Sequence, residues 1–263
     1  MKDIAQLVDA LHKEDLQNEA HPSTFDKNES YDMLIVRFPV IAEELHAKSL
    51  GFIFTNTSSY LYEKETKSYK LLDELFMGPY KIIDKGVDKL LQSFIKYQES
   101  VSDMEEQLYT TNIQSHFLDS WLSVKLDILR VERILMRSAT IIDEFISHYK
   151  SVDSFPLNHY MDILEHIERT QRSATLQLSK LDDLYSFYNA KSNDKMNRMI
   201  YILTIISAIF LPLNLVVGFF GMNTSGLPFS QGSLGTLFAV GVMIFLAMST
   251  TLFVQKWRKQ VEK

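Results

Sequence analysis

Polar and small side chains recur every three or four positions through an apolar stretch near the C-terminal end of the chain. Residues at this spacing share one face of an α-helix, so they form a single stripe. Close helix packing is sufficient for Thr204, Ser207 and Gly218 taken singly. The amide of Asn214, deep within the stretch, needs a polar partner and favours a water-filled pore. The full stripe comprises Asn197, Ile200, Thr204, Ser207, Leu211, Asn214, Gly218 and Gly221.

A second group of residues could bind a metal ion and lies nearer the N-terminus. It consists of His159, Asp162 and His166, which are three and four positions apart. On a helix this spacing places all three on one face, and Glu165 lies at the edge of that face, next to His166. Two imidazoles and a carboxylate suit Zn²⁺, Co²⁺ or Ni²⁺ better than Mg²⁺, which takes oxygen ligands. The alternative, which we favour, is that they are solvated residues at the start of a long helix, where acids interact well with the helix dipole.

Two apolar helices are expected to position the polar stripe. Residues 199–255 contain no Asp, Glu, Lys or Arg, and within them residues 199–220 and 234–254 form two apolar runs. Each run is close to the ~20 residues that a helix needs to cross a bilayer. Basic residues flank the outer ends of both runs, whereas the connecting segment 221–233 has none. By the positive-inside rule, we expect both termini on the cytoplasmic side.

Three long segments upstream carry apolar residues at alternating steps of three and four, the pattern of helices that pack side by side. The first two, after about residue 71, predict antiparallel helices. The third follows a break at residues 151–156, and no proline interrupts it before Pro212, so we predict one helix from about residue 157 to 220. This helix would be a stalk that continues into the first span. The alternative is the coiled-coil stem of a membrane-anchored scaffold or receptor. The stalk stripe comprises Tyr160, Ile163, Ile167, Gln171, Ala174, Leu178, Leu181, Tyr185 and Tyr188.

The N-terminal part of the chain mixes short elements. Residues 3–13 have helical spacing, and residues 21–30 have the composition of a loop. Residues 31–41, 50–55 and 60–63 are rich in the β-branched and aromatic residues that are typical of strands. We therefore expect a small α/β module, and the absence of a signal-peptide pattern predicts that it stays in the cytoplasm.

Composition and motifs argue against catalysis. The chain has no cysteine, which excludes thiolate chemistry, and it has neither a phosphate-binding Gly-rich loop nor a His-Glu-x-x-His motif. Residues 1–196 hold 32 acids against 22 bases, a net charge of −10, which disfavours a nucleic-acid partner and is compatible with handling cations. Ordinary solubility also explains this acidity. We expect neither an enzyme nor a bound cofactor.

These patterns together predict an α+β membrane protein that is mainly α. We expect a small cytoplasmic α/β module at residues 1–70, a cytoplasmic long-helix bundle and stalk at residues 71–196, and a two-helix transmembrane pore domain at residues 197–255. Residues 256–263 would be a basic cytoplasmic tail. Because one chain with two spans cannot enclose a pore, the pore interpretation requires an oligomer.

The segment between the two apolar runs carries a specific resemblance. Gly221-Met222-Asn223 directly follows YILTIISAIFLPLNLVVGFF, and Leu227-Pro228 lies just downstream. This arrangement resembles the CorA family of divalent-cation transporters. The resemblance implies a homopentamer in the cytoplasmic membrane, with the first apolar helix facing inward, that passes Mg²⁺ down its electrochemical gradient.

The resemblance also implies roles for individual residues. Gly221, Met222 and Asn223 would form a selectivity filter, whose amide and backbone oxygens bind a cation that keeps its waters, as Mg²⁺ does. Part of the pore wall would be a hydrophobic constriction, which gates by dewetting. The implied constriction is Ile200, Leu203 and Leu211, and the other implied pore-lining residues are Asn197, Asn214 and Gly218. The segment HYMDILEH, residues 159–166, is similar to the one in which the family carries a regulatory cytoplasmic acid, and Asp162 matches that acid.

The chain departs from the commonest pattern of this family after the motif. Many of its magnesium transporters continue with Met-Pro-Glu-Leu, whose acid attracts cations, whereas residues 224–229 here read TSGLPF. The Gly-Leu-Pro form is similar to the zinc-transporting ZntB-like branch, although that branch often has Ile in place of Met222. We therefore expect Mg²⁺ as the transported ion, with Zn²⁺, Co²⁺ or Ni²⁺ as the alternative. The expected partners are divalent cations, membrane lipids and further copies of the chain.

Overall fold

The computed structural model describes residues 4–42, 44–109, 116–222 and 233–261. The chain divides into two compact units, Met1–Ser186 and Phe187–Lys263. The first unit begins with the short helices α1 (Ile4–Leu7) and α2 (Ala10–Gln17), which are followed by a five-stranded sheet. Two long helices, α3 (Met77–Tyr109) and α4 (Phe117–Tyr149), come next, and then α5 (Leu157–Phe220). The fold is thus mostly helical, with a small N-terminal antiparallel sheet and one very long helix.

The sheet is an antiparallel meander in the order β1-β2-β3-β4-β5, so the predicted α/β module is wrong in its strand arrangement. Its strands are β1 (Thr24–Lys27), β2 (Asp32–Ile41), β3 (Leu45–Phe54), β4 (Ser59–Glu63) and β5 (Ser68–Leu71). β1 lies within the residues predicted to be a loop, and β5 was not predicted. Both are four-residue edge strands, and only Phe25 among their side chains is buried, so neither shows the apolar pattern of a strand.

The central strand β2 is buried on both faces, which explains its continuous apolar run. One face, with Met33 and Ile35, packs into a cluster with α1, α2 and Tyr62. On the other face of the sheet, the ring of Phe54 on β3 contacts the ring of Phe145 on α4, with their centroids 5.0 Å apart. Pro39 does not end this strand. Beyond Ile35, β2 pairs only with β3, so on its other side Pro39 has no neighbouring strand whose backbone hydrogen bonds it could interrupt.

The helical stripes lie in the core largely as the spacing predicts. On α3, the apolar residues that recur at steps of four and three are all buried: Leu90, Phe94, Tyr97, Val101, Met104 and Leu108. On α5 the pattern differs, because Thr170 and Gln177 are buried where the sequence predicts Gln171 and Leu178. The Thr170 hydroxyl donates to the His166 carbonyl oxygen at 2.8 Å, which satisfies the polar group locally and allows its burial. The predicted stripe is therefore displaced by one position at these two places, whereas Tyr160, Ile163, Ile167, Ala174 and Leu181 are buried as predicted.

An aromatic cluster joins the sheet to the helices where α4 ends and α5 begins. Tyr160 is fully buried, and its ring stacks on Phe155 at 5.0 Å and contacts Phe145 at 5.3 Å. Its hydroxyl donates to the carbonyl oxygen of Phe76 at 2.9 Å. This bond anchors the start of α5 to the segment that enters α3.

Further along α5, still in the first unit, Trp121 of α4 stacks on Tyr185 with ring centroids 4.7 Å apart. The Trp121 indole N–H donates to the carbonyl oxygen of Leu181 at 2.7 Å, and the Lys125 ammonium pairs with Asp182. These contacts hold α4 and α5 side by side up to the end of the unit.

The second unit contains the remainder of α5 and the helix α6 (Ser233–Val261). Its described surface is dominated by large exposed apolar side chains, for example Leu211 at 76% and Leu215 at 74%. Among the described residues, one helix, Leu157–Phe220, is long and apolar enough to cross a membrane, and Val240–Phe253 is a shorter apolar helical segment.

Candidate functional site

All eight residues predicted to line a pore lie on α5 and are exposed in the single chain. The partly covered positions of the same segment lie on a different face: Tyr201, Ile205, Ala208, Ile209, Pro212, Leu213, Val216 and Phe220. Exposure is shared by apolar residues outside the predicted face, such as Ile202 and Phe210. The assignment of the polar face to a pore therefore stays a prediction. The exposed predicted residues are Asn197, Ile200, Leu203, Thr204, Ser207, Leu211, Asn214 and Gly218.

The polar groups of this face differ in how they are satisfied. The Thr204 hydroxyl donates to the Ile200 carbonyl oxygen at 2.8 Å, so it needs no partner outside its own helix. The Asn214 amide makes no hydrogen bond to any residue that the structure describes, and it is exposed. An amide in an apolar helix must find its partners elsewhere, in water or in another chain. Asn214 is thus the residue of the stripe that most needs a polar environment.

The predicted filter begins where α5 ends. The Gly221 N–H donates to the Val217 carbonyl oxygen at 2.9 Å, and Met222 N–H reaches the Phe219 carbonyl oxygen at 3.4 Å. A Cβ at Gly221 would lie 2.9 Å from the Val217 oxygen, so this turn requires glycine. Met222 is 53% exposed. Asn223, the third predicted filter residue, lies outside the described residues.

His159, Asp162 and His166 of the predicted stalk site face α3. His166 Nε2 lies 3.7 Å from Asp162 Oδ1, and the His159 ring packs edge-on against Tyr80 of α3 at 4.9 Å between centroids. The negative charge of Asp162 also acts on Tyr80. Glu165 lines a separate shallow groove of about 420 Å³, which Asp162 borders. Within the described ranges, no three His, Asp or Glu side chains of one chain are grouped closely enough to hold a metal ion.

Two carboxylates that the sequence interpretation missed lie on α3 near the predicted site: Asp84 faces Asp162, and Asp88 lies beside Asp84. Burial, and then the negative charges of Asp88 and Asp162, raise the pKa of Asp84, while His166 and a hydrogen bond with Tyr80 oppose the shift. The available sequence signal was the spacing of these acids. Asp84 and Asp88 are four residues apart, on either side of the buried Val87, so they lie close together on α3. The structure thus gathers acids from two helices beside the predicted site.

A mostly helical protein with a small antiparallel sheet, a 64-residue helix and a glycine turn at its apolar end matches one known family. The family model described as "CorA-like Mg2+ transporter protein" matches residues 2–256, so the chain belongs to the CorA-like family. The resemblance in the sequence is thereby confirmed. Members of this family are ion transporters rather than enzymes.

Individual relatives are distant. The YfjQ protein of Bacillus subtilis, named as a metal ion transporter, is 25% identical over 72% of this chain and 60% of its own length. The magnesium transport protein CorA of Helicobacter pylori strain 26695 is 24% identical over 83% of this chain and 72% of that protein. The chain therefore spans less than two thirds of the length of YfjQ.

Among solved structures, the complete CorA magnesium transporter from Methanocaldococcus jannaschii aligns with a TM-score of 0.76 at 14% identity. The alignment covers 95% of this chain and 84% of that one. At this identity the likeness establishes the fold of the chain.

Proposed function

We propose that this chain is the subunit of an oligomeric channel-type transporter that moves divalent metal cations, first of all Mg²⁺, across the cytoplasmic membrane. The observation that carries the proposal is the Gly221-Met222 turn at the end of the long apolar helix α5, in a chain whose family match covers residues 2–256. Relatives named as magnesium or metal ion transporters support the same class of substrate.

The proposed membrane domain is a hairpin made by the last part of α5 and by α6. The absence of charge in residues 199–255 and the basic residues on either side of them support two spans with both termini in the cytoplasm. In this arrangement α5 is both stalk and first span. The domain division is the one that the sequence predicts, with boundaries at residues 70, 196 and 255.

The proposed pore lies on the axis of a homopentamer. A single pair of spans cannot surround water, and the exposed Asn214 amide supports a wet surface on α5. Rings of Ile200, Leu203 and Leu211 would form the gate, since a narrow apolar ring loses its water when it closes. Movement down the membrane potential is worth about 4.6 kcal/mol for a divalent ion per 100 mV.

Mg²⁺ is the first candidate ion because it dehydrates reluctantly, so a filter of amide and backbone oxygens can select it with its waters. Zn²⁺, with Co²⁺ and Ni²⁺, is the second candidate, because the loop after the filter motif carries no acid at residues 224–229.

We also propose that Asp162 belongs to a cytoplasmic cation sensor, to which His159, Glu165 and His166 were assigned from the sequence. The raised pKa of Asp84 supports it, since carboxylates that repel one another favour a cation between them. Because one chain supplies too few close ligands in its described part, a neighbouring subunit would complete the site.

The transport proposal is tested with the full chain in liposomes loaded with a Mg²⁺ indicator dye. We expect Mg²⁺ flux in the wild type and at least about a tenfold loss in Asn223→Ala, because the filter loses its amide ring. Asn56→Ala, the same change at an exposed position between β3 and β4, is the matched control. Parallel assays with Zn²⁺, Co²⁺ and Ni²⁺ rank the ions. If none of these ions passes, the transport proposal is wrong and the interpretation as a membrane-anchored scaffold remains.

A further inference from the structure

A groove with a volume of about 680 Å³ opens in the first unit between the end of the β2–β3 hairpin and the first half of α3. Its floor is apolar and includes Phe38, Val40, Leu50 and Ile82. Phe38 pairs with Lys48 and Val40 pairs with His46, so each of these cross-strand pairs lies on one face of the hairpin. The groove is thus an apolar slot with basic side chains at its edge.

The other edge of the groove is a row of lysines on α3. Lys81, Lys85 and Lys89 are four residues apart and therefore form one stripe along the helix. All three are exposed, as is Lys48 on the opposite edge. The groove therefore has cationic side chains on both sides, and none of the described residues that line it is a carboxylate.

Most of this positive charge is uncompensated. Lys81 pairs with Glu74 at 3.1 Å, but Lys48, Lys85 and Lys89 form no ion pair with any described residue. Like charges four residues apart on a helix repel one another. Asp84 and Asp88 lie on the same turns of α3, but neither of them lines the groove. An anion bound between the two edges would remove the repulsion.

We propose that this groove binds a nucleoside polyphosphate. Lysine ammonium groups bind phosphates as point charges, and the three unpaired ones face the slot from two sides. The apolar floor gives a flat surface for the base, and the volume lies in the ~300–1,000 Å³ range of small-molecule sites. Gly86 faces the Phe38 ring, and a Cβ there would make an ordinary contact at 3.7 Å, so only a larger side chain would fill the slot.

The shape of the groove favours this ligand over other anions. A free inorganic phosphate would use the lysines but leave the apolar floor exposed to water. An acidic helix of a second copy would bring carboxylates but no flat apolar group. The proposal is independent of the ion pathway, since every residue of the groove lies between Phe38 and Ser93.

The test is calorimetric titration of the full chain in detergent, at low salt and with a metal chelator, using ATP, adenosine and inorganic tripolyphosphate as separate probes. We expect ATP to bind at least about tenfold more tightly than either of the other two, because it alone engages both the lysines and the floor. The double variant Lys85→Gln, Lys89→Gln should weaken ATP binding by about tenfold or more. The matched control Lys96→Gln, Lys150→Gln removes two exposed lysines outside the groove and should change affinity by less than about twofold.

A second variant tests the floor. Gly86→Leu fills the slot at a helical position, and it should weaken ATP binding while tripolyphosphate binding stays unchanged. Thermal melts of every variant show that each is folded. The proposal is overturned if ATP does not bind, if tripolyphosphate binds as tightly as ATP, or if the lysine control weakens binding as much as the groove variant. It is also overturned if the groove variant changes the oligomeric state, which would identify a second copy as the occupant, or if anionic lipid vesicles compete with ATP for the same lysines.

Discussion

The Tyr160 hydroxyl is the buried polar group whose loss has the clearest consequence. It donates to the Phe76 carbonyl oxygen at 2.9 Å inside the aromatic cluster, where no solvent can replace it. We expect Tyr160→Phe to lower the free energy of unfolding by about 1–2 kcal/mol, because the carbonyl is left without its partner. The measurement is the thermal midpoint of the full chain in detergent. Tyr185→Phe is the control, since it keeps the ring that stacks on Trp121. Equal midpoints for the two variants would contradict the role of this bond.

Asp84 gives a prediction with a defined pH dependence. Because burial and two neighbouring acids raise its pKa, the folded chain holds this proton more tightly than the unfolded chain does. The stabilisation is fully present below the unfolded pKa of about 3.9 and is lost as pH rises through the raised value. At pH 7 the ionised Asp84 therefore destabilises the fold. Asp84→Asn, which can still accept from Tyr80, should raise the thermal midpoint by about 1–2 °C, an effect limited by solvent screening.

Asp84→Asn also tests the proposed cation sensor. Mg²⁺ or Zn²⁺ bound near Asp162 would relieve the repulsion, so either ion should raise the midpoint of the wild type more than that of Asp84→Asn. Asp153→Asn, at an exposed position, serves as the matched control. An equal response of all three proteins to the ions would remove Asp84 from the sensor.

At the scale of elements, the long helices could be predicted because each buries a stripe that repeats over many turns. On α3, the apolar residues from Leu90 to Leu108 recur at steps of three and four, which identifies the segment as a helix. The four-residue strands β1 and β5 could not be predicted, since their pairing is set by β2 and β4 rather than by their own side chains. Asp84 was missed for a related reason, because only the packing of α3 beside α5 brings it to Asp162.

The end of α5 provides a prediction for a single element. A Cβ at Gly221 would lie 2.9 Å from the backbone oxygen of Val217, so Gly221→Ala must move the turn that carries the filter. We expect Mg²⁺ flux in liposomes to fall by roughly tenfold. Gly241→Ala on α6 is the control, because its Cβ would have none of the described atoms within 4 Å. Wild-type flux in Gly221→Ala would show that the filter tolerates a displaced turn.

For the whole molecule, the central expectation is the number of subunits. The width of the pore depends on how many copies of α5 surround it, so native mass measurement in mild detergent should give five chains. Asn214→Leu should keep this assembly and abolish flux, because it replaces the amide of the wet face with an apolar group. A stable dimer or trimer would rule out the pore and support a coiled-coil tether.

The stack of Trp121 on Tyr185 gives the molecule an optical signal of its own. The chain contains two tryptophans, Trp121 and Trp257, so a Trp257→Phe protein would emit from Trp121 alone. That indole is held by the Leu181 carbonyl, lies beside the Lys125 ammonium at 4.8 Å and contacts Tyr185 close to the last residue of the first unit. Sliding or rotation of α5 against α4 would change the contacts of the indole with Leu181 and Tyr185, and it would separate Lys125 from Asp182. The colour and intensity of its fluorescence therefore report the state of the stalk in real time, without an added label.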